Sequence, residues 1–144
     1  MKTVYYSHCM TNYNTEQEKQ DVALLKSIGF IVCNPNTTKH RQDAHFYPSG
    51  MLRMKFYMDL AVSCDLIAFR TLENGTVSAG VALEVEAMMK LGKPVIELPY
   101  YHKLKKLTYS ATLKHIRRNG KEKGGKDERT DGQDQRYQTE NAGL

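Results

Sequence analysis

Ser78–Leu98, "SAGVALEVEAMMKLGKPVIEL", is the stretch on which the reading of this chain turns. It predicts a helix that opens at Ser78, stops at Gly92 and hands the chain through Lys93-Pro94 to the strand "PVIELP". Gly80 leaves the first turn bare, so a ligand could approach the backbone closely there. Helix N-termini also present unpaired N–H groups and a positive dipole end, which suit a phosphate or a carboxylate. Glu84 follows Gly80 by four and therefore lies on the same helix face, one turn deeper. Such a glutamate either complements the dipole and faces solvent, or is held beside whatever sits over the first turn.

Working outward, the body alternates strand and helix signals. "TVYYSHC" is β-branched and aromatic, a strand. "TEQEKQDVALLKSIGF" carries Thr15 and Glu18 at capping-box spacing, an apolar stripe of Val22, Leu24, Leu25 and Ile28, and a terminal Gly29. "FIVCNPN" predicts a second strand, and "NTTKHRQDAHFYPSG" a long polar loop. "MLRMKFYMDLAVSC" predicts a helix, "DLIAFRT" a strand opening with Asp65, and "LENGTVS" a loop. Strands alternating with helices through short connections predict an α/β fold: a doubly wound parallel sheet of four to five strands, Rossmann-like or flavodoxin-like, in three layers. In such sheets ligands bind beyond the carboxyl ends of the strands. That rule selects the loop after Tyr5 and Tyr6, the loop after Arg70, and the start of the Glu84 helix.

At 144 residues the chain is one domain in size. Residues 1–118 are expected to form it, with a last amphipathic helix around "LKKLTYSATLKHIRR". From Asn119 to Leu144 the sequence is polar and Gly-rich, which predicts a disordered tail. Residues 1 to 102 hold ten basic and ten acidic side chains, so the net charge of +5 arises in residues 103–144, which include the tail. Its mixed signs point to a solvated extension rather than a nucleic-acid-binding surface, and no specific nucleic-acid binding is expected. No apolar run is long enough for a membrane span and the N-terminus lacks a signal-peptide pattern, so a cytoplasmic protein is expected. Cys9, Cys33 and Cys64 are read as free thiols. His40, His45, His102 and His115 show no metal-ligand spacing.

The run from Gly80 through Glu84 to Gly92-Lys93-Pro94-Val95 resembles the core signature of the nucleoside 2-deoxyribosyltransferase superfamily. Within it, the closest motif match is to the 2'-deoxynucleoside 5'-phosphate N-hydrolases. "KTVYY" resembles the family's first strand with its active-site tyrosine, which falls on Tyr5, and "SCDLIAF" resembles its strand-opening aspartate segment. The similarity spans about residues 2 to 99. The Gly-to-Glu spacing also occurs in cytokinin-activating phosphoribohydrolases, but those carry a Pro-Gly-Gly run that "ENGTVSA" lacks.

The resemblance implies that Glu84 is the nucleophile in cleaving an N-glycosidic bond, releasing a free base with no metal or organic cofactor. A carboxylate suits that chemistry because positive charge develops on the sugar. Hydrolases pass the sugar to water, whereas transferases pass it to a second base. Ser78 stands where the nucleoside transferases carry aspartate and the nucleotide hydrolases serine. Serine removes a charge that would repel phosphate, so a nucleoside 5'-monophosphate is the expected substrate. Ser78 is equally well placed as an ordinary N-cap. The alternatives are deoxyribosyl transfer on free nucleosides and a non-catalytic nucleotide-binding or sensing module.

The resemblance also implies a second acid about eight residues before the strand-opening aspartate. Tyr57 occupies that offset and Asp59 stands six ahead, so Asp59 is the expected second carboxylate only if the connection is shortened. A two-residue shift turns a helical side chain by roughly 200°. Tyr5 joins Glu84 and Asp59 as the expected catalytic set, and Ser78, Gly80, His8, Asp65 and Arg70 are expected at the substrate. His8 is also read as a locally hydrogen-bonded residue, and Arg70 equally as a surface ion-pair partner. Glu86 is expected to be exposed or interfacial. Relatives assemble as homodimers or larger homo-oligomers, which marks "YMDL" and "PYYHKL" as plausible contact surfaces.

Overall fold

A computed structural model describes residues 1–99 and 106–122. Residues Met1–Pro99 form one compact unit and the helix at 109–122 belongs to another, so each is described by itself. The first unit runs β1 (Thr3–Ser7), a 3-10 turn (Met10–Asn12), α1 (Glu16–Ile28), β2 (Ile31–Cys33), α2 (Thr38–His45), α3 (Gly50–Val62), β3 (Leu66–Phe69), α4 (Ala79–Lys90) and β4 (Val95–Glu97). The four strands are all parallel, in the order β2-β1-β3-β4. This is the expected α/β fold, and its order places a topological switch point between β1 and β3.

Alternation along β1 divides the core. Val4 and Tyr6 join Leu66, Ala68 and Leu98 on one face, where Leu25 of α1 covers them. Tyr5 and Ile67 point the other way, against Ala61 and Cys64 at the end of α3 and Met88 of α4. Neighbouring side chains on a strand face opposite sides of the sheet, so one short strand supplies both layers. Tyr5 pairs in register with Cys33 on β2 and Ile67 on β3, which puts its ring at the centre of the sheet.

The predicted helix signals are realised locally. Thr15 accepts a hydrogen bond from Glu18 N at 3.2 Å, and Gly29 closes α1 in the left-handed region at φ 111°. Lys93 of the Gly-Lys-Pro turn has a structural use, since its Nζ donates to the Cys64 carbonyl at 2.8 Å and to the Val62 carbonyl. It thereby neutralises the carbonyl end of α3 and ties it to the turn before β4.

The segment expected as a polar loop contains α2 instead. Thr37 caps it, accepting from His40 N at 3.1 Å, and the apolar stripe that would have revealed the helix is reduced to the buried Ala44. Cys9, Cys33 and Cys64 are free, as expected. The expected final helix is α5 (Tyr109–Glu122), opened by Thr108, whose Oγ1 accepts from Ala111 N at 3.1 Å. It runs past the expected domain boundary at residue 118; the remainder of the expected tail, residues 123–144, and the "YYHKL" segment lie outside the described residues. Among the described residues no helix is long and apolar enough to cross a membrane.

Candidate active site

The carboxyl ends of β1 and β3 face the second turn of α4, and this is where Glu84 lies. Ser78 caps α4 from an extended conformation, with Oγ accepting from Val81 N at 3.5 Å, a long bond. A Cβ added to Gly80 would meet nothing within 4 Å, so the space over the first turn is open. Glu84 is nevertheless buried, at 7% exposure. Its Oε1 accepts from Ser7 Oγ at 3.0 Å, and its Oε2 is enclosed with no hydrogen-bond partner among the described residues. The Tyr5 phenol lies beside the same carboxyl group.

Burial dominates the electrostatics of this glutamate. Loss of hydration raises its pKa from the usual carboxyl range to about 7, even though hydrogen bonding by Tyr5 and Ser7 favours the charged form. The Tyr5 phenol is itself pushed well above its ordinary value, first by burial and then by the adjacent carboxylate. At neutral pH the group therefore titrates between a protonated and an anionic form beside a phenol that keeps its proton. Perturbed carboxyl groups facing a cleft are a feature of catalytic sites.

Glu84 and Tyr5 open onto a cavity of about 460 Å³. His8, Met10, Tyr13 and Pro35 wall one part of it, and Arg41, Ala44, His45, Gly50, Arg53, Met54 and Tyr57 of the α2–α3 segment wall the rest. That volume falls in the range of small-molecule sites. Three expected site residues, Glu84, Tyr5 and His8, meet there. His8 has no ring nitrogen to spare, because Nδ1 donates to the Tyr6 carbonyl at 3.1 Å and Nε2 meets Glu18 Oε2 at 2.7 Å. Its ring stacks on Tyr6 with centroids 3.9 Å apart, so it shapes the wall. Glu18 also accepts from Asn14 N at 3.1 Å and from Asn36 Nδ2, which fixes the loop after β1 to α1 and to the loop after β2.

Ser78 and Gly80 stand at the start of α4 and are not among the residues lining this cavity. Three other expectations are corrected. Asp59 points away from the cavity: its side chain is 66% exposed, 4.0 Å from Lys55 Nζ one turn earlier on α3. The connection to β3 is not shortened, and Tyr57, at the original offset, lines the cavity. Asp65 sits at the opposite rim of the sheet, where its Oδ2 accepts from Thr3 N at 2.8 Å and its own N donates to the Thr3 carbonyl at 2.9 Å. It aligns the amino ends of β1 and β3. Arg70 is buried on the α1 side, where Nε donates to Asp21 Oδ2 at 2.9 Å, Nη2 pairs with Asp21 Oδ1, and Nη1 donates to the carbonyls of Leu98 and Pro99. Tyr6 and Gln17 also donate to Asp21, at 2.6 and 2.9 Å, so this is a structural network. Glu86 is exposed, as expected.

Sequence reasoning missed Ser7, Tyr13, Tyr57, His45 and the two cationic residues Arg41 and Arg53. Ser7 was within reach of the strand period, being two residues beyond Tyr5 and so on the same face. Arg41 and His45 follow from α2, whose existence the sequence hid, whereas Arg53 lies on α3, a helix the sequence predicted. No protein-family model matches the chain, and no curated protein matches it significantly.

Proposed function

We propose that this protein cleaves the N-glycosidic bond of a nucleoside or deoxynucleoside 5'-monophosphate, with Glu84 as nucleophile. The observation that carries this reading is a buried carboxyl group, held by Ser7 and beside the Tyr5 phenol, lining a cavity of about 460 Å³. Burying the charged carboxylate costs free energy, which is what raises its pKa. A sugar carbon acquiring positive charge relieves that cost, which is the differential stabilisation catalysis requires.

In the reaction, a Glu84 oxygen forms a bond to the anomeric carbon as the bond from that carbon to the base nitrogen breaks. The electron pair leaves with the base. Water then attacks the anomeric carbon of the glycosyl ester, restoring the Glu84 carboxylate and freeing the sugar phosphate. Ser7 holds the carboxylate in place and Tyr5 packs against it, so the nucleophile enters the reaction already oriented. Ser78 and the open first turn of α4 offer a hydroxyl and backbone N–H groups to the 5'-phosphate.

The test is to incubate the protein with nucleosides and their 5'-monophosphates and follow free base by chromatography. The reading predicts base release that Glu84→Gln abolishes. Release undiminished in that variant, or tight binding with no release from any substrate, would sink it.

A further inference from the structure

Expelling a base from a sugar needs help at two places, the anomeric carbon and the departing nitrogen, which receives the bonding electron pair. Glu84 serves the first. For the second, the cavity offers no other carboxyl group, since Glu84 is the one Asp or Glu among the described residues lining it. The same cavity is lined by two guanidinium groups, Arg41 from α2 and Arg53 from α3, with His45 of α2 beside them in the lining. Among the described residues neither arginine is paired with a carboxylate, and Arg53 Nε is oriented by the Tyr47 carbonyl at 3.0 Å. Tyr57 lies within the fields of both arginines and of Glu84.

Resting on the glycosidase reading, we infer that the departing base is stabilised by this cationic wall, the guanidinium groups of Arg41 and Arg53, rather than by a carboxylic acid. The base leaves carrying the electron pair of the broken bond, is held as an anion or near-anion by the two guanidinium groups, and takes a proton from water. A guanidinium stays charged at any working pH and donates hydrogen bonds without losing its proton. It therefore favours bases whose ring nitrogen already bears negative charge well. Oxo-substituted bases such as hypoxanthine, xanthine and uracil are of that kind, whereas amino-substituted adenine and cytosine leave best when protonated first. The wall thus selects a substrate class: nucleotides of oxo bases.

The experiment compares kcat/KM for monophosphates and free nucleosides of oxo and amino bases, in wild type, Arg41→Gln, Arg53→Gln and Asp59→Asn. Both arginines are exposed, and melting curves verify that each variant is folded. The inference predicts at least a tenfold preference for oxo bases in the wild type. Each arginine variant should lose tenfold or more in kcat and steepen the dependence of rate on the basicity of the departing base. Asp59→Asn should stay within twofold of wild type. Loss of activity in Asp59→Asn, or arginine variants that lose only the preference for monophosphate over nucleoside with unchanged leaving-group dependence, would overturn the inference. The latter result would reassign the wall to the phosphate and leave the glycosidase reading intact. Absence of base release from every substrate would instead remove that reading, and the inference with it.

Discussion

Ser7, the last residue of β1, donates its hydroxyl hydrogen to Glu84 Oε1 on α4 at 3.0 Å, across 77 positions of sequence. The bond joins the end of a central strand to the second turn of the helix that crosses it. It also gives the buried carboxylate one of its stabilising contacts, so the pair sets both the place and the proton affinity of the proposed nucleophile.

The first prediction concerns pH. Only the anionic form of Glu84 attacks, and its pKa lies at about 7, raised by burial. The rate of base release should therefore rise as pH increases through about 7 and level off above it. Ser7→Ala removes a bond that favours the anion, so it should move this limb upward by about one pH unit. A pH–rate profile of kcat/KM checks both statements; a limb that stays in place in Ser7→Ala would show that the serine does not tune this group.

Stability should depend on pH through the same residue. Because the folded-state pKa of Glu84 is above its unfolded value, the folded state binds this proton more tightly than the unfolded state does. Its contribution is most favourable below the unfolded value of 4.5, declines as pH rises to about 7, and is constant beyond. Glu84→Gln should therefore stabilise the protein at pH 8 by up to about 3 kcal/mol, with the advantage shrinking towards pH 5. Urea denaturation at the two pH values measures it.

Arg70 and Asp21 are buried together, at 3% and 2% exposure, on the face of the sheet away from the cavity. Asp21→Asn leaves a buried guanidinium without its counter-charge and should cost about 3–5 kcal/mol. Replacing both residues by apolar ones of similar size should cost less than the single change. The denaturation midpoints of the two variants decide this, and a mild effect in Asp21→Asn would mean that Arg70 does not depend on the Asp21 carboxylate.

Much of this was legible in the sequence because local chemistry dictated it. The Gly29 stop, the Thr15 and Ser78 caps and the Gly-Lys-Pro turn act over a few residues, and they are found where they were expected. Gly80 and Glu84, four apart, announced a helix face with an open first turn and a carboxylate below it. What the sequence hid was set by tertiary contact. α2 has almost no apolar periodicity, so only its cap at Thr37 betrayed it. Asp59 and Tyr57 differ by two positions, which on a helix is the difference between solvent and cavity. Arg70 ends its strand at the ligand rim, yet its partner Asp21 lies 49 positions away on α1 and draws it to the other face.

The most direct test of the central claim is to quench the reaction with acid during turnover of a 5'-monophosphate and map the protein by peptide mass spectrometry. The account predicts a sugar-phosphate adduct on the peptide containing Glu84, absent from Glu84→Gln, which also releases no base. An adduct on another residue, or base release by Glu84→Gln at the wild-type rate, would contradict it.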